Sequence, residues 1–194
     1  KQLYFCFSCV KFLFLMFKNK KIAKFSIFFF CFSIFSSISQ TNEDVPLNNM
    51  VINEIPKPIS SLIFEDFSGN EINLNQYNGK LVIINFWATW CAPCKKEMPS
   101  LDKLYQTNNF KNLQVFAVNM EQPNTLKTKK FFTDLNIKKL EIFFDNNLNF
   151  VKEFKLRGVP TTVLINKKGE EFARIIGEVN FLDKKFLKWL LNYD

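Results

Sequence analysis

Residues 81–87 read Leu-Val-Ile-Ile-Asn-Phe-Trp, apolar at every position but one. A run of this kind suits a strand buried on both faces of a sheet, so layers must cover it above and below. Asn78-Gly79-Lys80 is the turn that delivers the chain into the run. Pro93, six residues past its end, suits the first turn of a helix, where a missing N–H costs little. The junction between that strand and that helix carries Trp90-Cys91-Ala92-Pro93-Cys94.

The remaining pattern repeats the alternation. Residues 62–67 and 71–74, joined by Ser68-Gly69-Asn70, carry a hairpin signal. A helix is expected over 93–105, kinked by the internal Pro99, then a strand over 113–119. A helix near 125–135, a short strand near 141–144 and a helix over 148–154 follow. Residues 161–165 and 171–176 form strands around the turn 166–169, and an amphipathic helix over 181–191 closes the chain. Strands alternating with helices define an α/β layered fold.

The basic balance is local. The chain carries a formal charge of +8, but residues 1–39 hold six lysines and no acidic residue. Little net charge is left for the rest, so a nucleic-acid reading loses its support. Lysines at 18, 20, 21 and 24, an uncharged stretch over 25–38 and the exit Ser37-Ile38-Ser39 follow the grammar of a secretory signal. The exit is weaker than Ala-x-Ala, which leaves a cleaved signal and a retained anchor both open. Two short membrane helices, over 3–17 and 25–38, are a third reading, against which their length and Lys11 argue. The expected organisation is a leader over 1–39 (1–15 ahead of the better-formed start at Met16), a linker over 40–60 with Pro46, Pro56 and Pro58, and one domain over 61–194.

Of the five cysteines, Cys6, Cys9 and Cys31 lie in the leader, and there is no histidine. Tetrahedral zinc would need two more Cys or His ligands than the domain offers. Ser-His-Asp and Cys-His nucleophile systems are excluded as well. A structural disulfide between such close cysteines would constrain the unfolded chain very little. Thiol–disulfide exchange, by contrast, needs one thiolate to attack and a second thiol to resolve the mixed disulfide. Cys91, at a helix N-terminus, has free N–H groups and the positive dipole end beside it. Cys94, one turn further, points back beneath it. Cys91 is thus the expected nucleophile and Cys94 the resolver. The exchange calls for no cofactor and no metal.

The runs VIINFWATWCAPCKKEMP, GVPTTVLINKKGE and ARIIGE resemble the thioredoxin superfamily, in its order and spacing, over residues 60–194. More narrowly they resemble the exported TlpA/ResA-like thiol:disulfide oxidoreductases. The resemblance implies a thioredoxin fold, a central mixed sheet flanked by helices, with an added N-terminal β-hairpin and a central insertion around 120–145. It implies that Pro160, after Val159, is a cis-proline that presents backbone to the substrate. Glu97 then matches an acidic residue kept beside the site, able to exchange a proton with Cys94 when desolvated. Asn85 stands where cytoplasmic thioredoxins have a buried aspartate, which puts more weight on Glu97. Trp90, Val159 and Thr161 are expected at the client surface, and Trp87 in the core. Arg174 matches a basic position in the family's late strand.

The resemblance also implies a periplasmic or otherwise extracytoplasmic place and client proteins with disulfides or thiols. It favours a reductase serving cytochrome c or copper-oxidase assembly, fed by a membrane redox donor. Contact with the membrane would run only through an uncleaved N-terminal segment. Thr161 stands where the cytochrome-maturation branch often has Glu, which tilts the reading to the general TlpA-like group. A peroxiredoxin would need a Pro-x-x-x-Thr/Ser-x-x-Cys setting, which is absent. The reading from another class is a Cu(I) metallochaperone, with Cys91 and Cys94 as soft ligands and Met98 and Met120 as further sulfurs.

Overall fold

The computed structural model describes residues 45–194, and the expectations for 1–39 lie outside them. Eight strands form one mixed sheet: β1 (Met50–Pro58), β2 (Ile63–Asp66), β3 (Glu71–Asn73), β4 (Leu81–Trp87), β5 (Leu113–Asn119), β6 (Ile142–Phe144), β7 (Thr161–Ile165) and β8 (Glu170–Ile176). Their spatial order is β1-β8-β7-β4-β5-β6-β2-β3. β4 is parallel to β5 and β5 to β6, while the other neighbours are antiparallel. The helices are α1 (Ala92–Gln106), α2 (Thr125–Asp134), α3 (Asn149–Phe154) and α4 (Lys184–Leu190). Among the described residues no helix is long and apolar enough to cross a membrane.

Every residue of β4 is buried, as its sequence requires. Its side chains alternate between two cores. Leu81, Ile83 and Trp87 join Met98, Leu101 and Leu104 of α1, Phe131 of α2 and Phe186 of α4. Val82, Ile84 and Phe86 join Phe64, Phe116, Phe143 and the α3 residues Phe150 and Phe154. Rings in this second core meet mainly edge to face, Phe64 and Phe116 at 5.0 Å between centroids and Phe116 and Phe143 at 5.0 Å. Of the phenylalanines between 45 and 194, only Phe67 and Phe132 are half-buried rather than buried, so in this domain the phenylalanine content is core.

Two expectations need correction. The linker reading of 40–60 fails for Met50–Pro58, which pairs antiparallel with β8 from Met50↔Ile175 to Pro58↔Glu170. Pro56 and Pro58 are tolerated because β1 is an edge strand with a register shift between Ile52 and Lys57. The last helix begins at Lys184, not 181, because Asp183 Oδ1 accepts from the N–H groups of Lys185 (2.9 Å) and Phe186 (3.0 Å). As expected, Pro99 lies inside α1, which continues past it. Pro99 forgoes its bond to the carbonyl of Lys95, on an exposed turn. The segment 120–145 contains α2 and β6.

Candidate active site

Cys91 is the N-cap of α1, and its Sγ accepts the N–H of Cys94 at 3.2 Å. The two cysteines are joined by a disulfide. Cys94 is fully buried and Cys91 is 3% exposed, so the oxidised pair offers solvent far less than sequence reasoning expects of an attacking sulfur. The exposed neighbour is Trp90, at 69%. Trp87 is fully buried and packs on Phe131 at 4.5 Å between ring centroids. Lys95 and Lys96 are exposed, and Lys96 faces Glu178 at 3.5 Å.

Alternation along β4 puts the side chain of Asn85 on the α1 side of the sheet. There its Nδ2 donates to Glu97 Oε1 (2.8 Å) and to Thr162 Oγ1 (3.0 Å), the latter on the residue opposite it in β7. Glu97 Oε2 accepts the N–H of Val179 at 3.0 Å. Glu97 is 1% exposed. Burial pushes its pKa up to about 7 against the two hydrogen bonds, and nearby Glu178 adds to the rise. Glu97 lies three residues after Cys94, hence on the same helix face. A buried carboxyl that gains and loses a proton near neutrality thus sits one turn from the buried sulfur.

The Val159–Pro160 peptide is cis, as the resemblance implies. It precedes Thr161, which pairs with Phe86 near the end of β4 that leads to Cys91. Pro160 is buried and Val159 half-buried. Thr161 is 5% exposed and its hydroxyl donates back to the Gly158 carbonyl (2.8 Å). Its side chain therefore holds the loop in shape, a tighter placement than a client-facing residue suggests.

Sequence reasoning misses Glu121 and the partners of Arg174. Glu121 Oε2 accepts the backbone N–H of Thr89 (2.5 Å), and Oε1 accepts the Thr89 hydroxyl (3.0 Å) and Lys127 Nζ (2.6 Å). This clamps the Thr89-Trp90 approach to Cys91 onto the segment after β5. Burial pushes the Glu121 pKa up, but the hydrogen bonds from Lys127, Thr89 and Asn119 outweigh it and hold the carboxyl below its usual range. Arg174, to which sequence reasoning gives no role, donates to both oxygens of Glu171 (2.8 and 3.0 Å) and to the Phe154 carbonyl (2.6 Å). No motif announces Glu121, and the ARIIGE run that holds Arg174 gives no sign of its partners. A charged residue after an apolar strand is the only sequence signal for Glu121. Met98 lies in the core on the α1 side and Met120 against the opposite core.

A mixed sheet with helices on both faces, a cysteine pair at a helix N-terminus and a cis-proline ahead of the neighbouring strand define a thioredoxin-like protein-disulfide oxidoreductase domain. A model of the AhpC/TSA family matches residues 55–170, more than half of the chain, and the chain belongs to that family. It is 37% identical over 110 residues to thiol-disulfide oxidoreductase ResA of Halalkalibacterium halodurans, covering 57% of this chain and 61% of that protein. With thiol-disulfide oxidoreductase ResA of Bacillus thuringiensis subsp. konkukian it shares 32% identity over 125 residues, 64% of this chain and 71% of that one. Among solved structures, StoA from Bacillus subtilis matches with a TM-score of 0.57 and 26% identity over 67% of this chain and 97% of its own. A thiol:disulfide interchange protein from Chlorobium tepidum shares the fold at a TM-score of 0.60 and 21% identity, over 72% of this chain and 99% of that chain.

Proposed function

We propose that the protein is an exported reductase of client protein disulfides, working through Cys91 and Cys94. The observation that carries this reading is Glu97: a buried carboxyl with a pKa near 7, held on the same helix face as the buried Cys94. In the reduced protein the Cys91 thiolate attacks one sulfur of a client disulfide. That bond breaks, a Cys91–client mixed disulfide forms, and the first client sulfur leaves as thiolate. Cys94 gives its proton to the Glu97 carboxylate and attacks Cys91 Sγ. The Cys91–Cys94 disulfide forms and the second client thiolate leaves, so two electrons have passed to the client. Glu97 then returns its proton to solvent or to the product.

Pro160, Val159, Trp90 and Thr161 frame the surface that receives the client. Residues 1–39 export the chain and, if uncleaved, hold it to the membrane beside the donor that reduces it again. The folded domain starts by Met50, ahead of the expected boundary at 61. Cytochrome c and copper-oxidase assembly proteins are the proposed clients, on the resemblance to the TlpA/ResA-like group.

A Cys94→Ser variant should accumulate mixed disulfides through Cys91. The reduction potential of the pair should be strongly negative, and a value near the oxidising extreme of about −120 mV would reverse the proposed electron flow. Tight Cu(I) binding without disulfide reduction would favour the metallochaperone reading instead.

A further inference from the structure

Beside the cis-proline lies a groove of about 700 Å³, bordered by residues 153–161, from the end of α3 to the start of β7, on one side and by β1 and β8 on the other. Its lining carries four cations against two acids, a positive balance. Lys57, Lys155 and Arg157 line it, are exposed and have no ion pair or hydrogen-bond partner for their side chains among the described residues. Its two acids are already engaged. Glu171 is held by Arg174, and Glu153 accepts from the N–H (3.1 Å) and hydroxyl of Ser60. The wall itself is fixed, because Arg174 ties the last residue of α3 to β8 through the Phe154 carbonyl and lies over the Phe154 ring at 5.9 Å. Between the cations, Val51 and Ile176 leave apolar surface open, 54% and 59% exposed. At the end nearest the site, the backbone N–H and C=O of Val159 have no partner among the described residues. They can pair with an extended segment.

We propose that this groove selects clients, and that its occupant is an extended, acidic segment of the client chain next to the client's reactive cysteine. The inference rests on the exchange function proposed above. Unpaired cations around a partly apolar floor attract carboxylates without giving up existing ion pairs, and the free Val159 backbone sets the segment's direction. Charge of this kind acts mainly on encounter rate and partner choice.

The test uses the full chain and three synthetic peptides with the same internal disulfide, flanked by aspartates, serines or lysines. Reduced protein should reduce the aspartate peptide about 10-fold faster than the lysine peptide at low ionic strength, and the ratio should shrink as salt is added. Lys57→Glu with Arg157→Glu should reverse the order. Lys184→Glu with Lys185→Glu, the same change of charge on α4, should leave the ratio as it was. Fluorescence anisotropy with serine in place of the peptide cysteines reads docking apart from exchange. Peptides that bind in this order but are never reduced would sink the exchange function and leave the groove standing. Equal binding and equal reduction of all three would overturn the groove and leave exchange intact. The groove is likewise overturned if the α4 variant shifts the ratio as much. It is also overturned if the cations bind vesicles of phosphatidylcholine and phosphatidylglycerol while showing no peptide preference.

Discussion

Asn85 Nδ2 donates to Glu97 Oε1 at 2.8 Å, between two fully enclosed residues on β4 and α1. The amide stabilises the carboxylate form, against burial, which favours the acid. Its own Oδ1 has no partner among the described residues. Asn85 therefore tunes a titratable group without titrating itself. Asn85→Ala should raise the Glu97 pKa above 7, because a hydrogen bond that lowers it is gone. Carbon-detected NMR titration of the Glu97 carboxyl checks this. An unchanged or lower value would mean that solvent enters and replaces the amide.

Replacing the acid itself separates chemistry from structure. Glu97→Gln keeps the shape and loses the proton acceptor, so the step in which Cys94 displaces the client should slow by about 10²-fold. Rapid-mixing measurements on a preformed mixed disulfide isolate that step. In the parent its rate should rise with pH through about 7, as Glu97 becomes a carboxylate. The variant should lack this inflection. If the inflection persists there, another group carries the proton.

Stability should report the same carboxyl with a definite sign. Glu97 holds its proton more tightly when folded, up to about 7, than in the unfolded chain near 4.5. Between these values the native state binds the extra proton, so this group's contribution falls as pH rises. The loss is complete above about 7 and amounts to about 3 kcal/mol. Urea unfolding between pH 4 and 8 should show this decline in the parent and a flatter profile in Glu97→Gln.

Glu121 has the opposite sign. Its folded pKa lies below the ordinary range, so its contribution is present above about pH 4.5 and is lost as pH falls through the folded value. Glu121→Ala frees the Thr89 N–H and hydroxyl and should cost about 1–2 kcal/mol at neutral pH. The difference from the parent should narrow in acid. Hydrogen exchange should quicken first at the Thr89 amide, two residues ahead of Cys91. A uniform rise across the sheet instead would assign Glu121 to global packing.

The legible parts of this molecule are those whose signal is local. Leu81–Trp87, the Pro93 start of α1 and the β7–β8 hairpin each declare themselves within a dozen residues. β1 does not, because its prolines and polar residues read as a tether and its partner Ile175 lies far along the chain from Met50. Edge strands need only one satisfied side, so their sequences carry a weak pattern. The site divides the same way. The cysteine pair is legible from its spacing, while Glu97 and Pro160 stand out only through the family resemblance. Glu121 and Arg174 act through partners that only the fold brings near.

Asp102 is a further case of a charge whose role only the fold reveals. It is 3% exposed on α1, and its carboxylate accepts the N–H groups of Lys138 (3.1 Å), Lys139 (2.7 Å) and Leu140 (2.9 Å), as well as Gln106 Nε2 (2.6 Å). Three successive backbone donors ahead of β6 thus depend on one side chain. Asp102→Ala removes their shared acceptor and should cost about 3 kcal/mol, equivalent to about 10 °C in Tm. Asp102→Asn keeps one acceptor oxygen and should fall between the two. Because the damage lies in the loop before β6 rather than at the cysteines, the reduction potential should stay where it was while thermal unfolding moves. A shift in potential without loss of stability would show instead that Asp102 acts on the cysteine pair through α1.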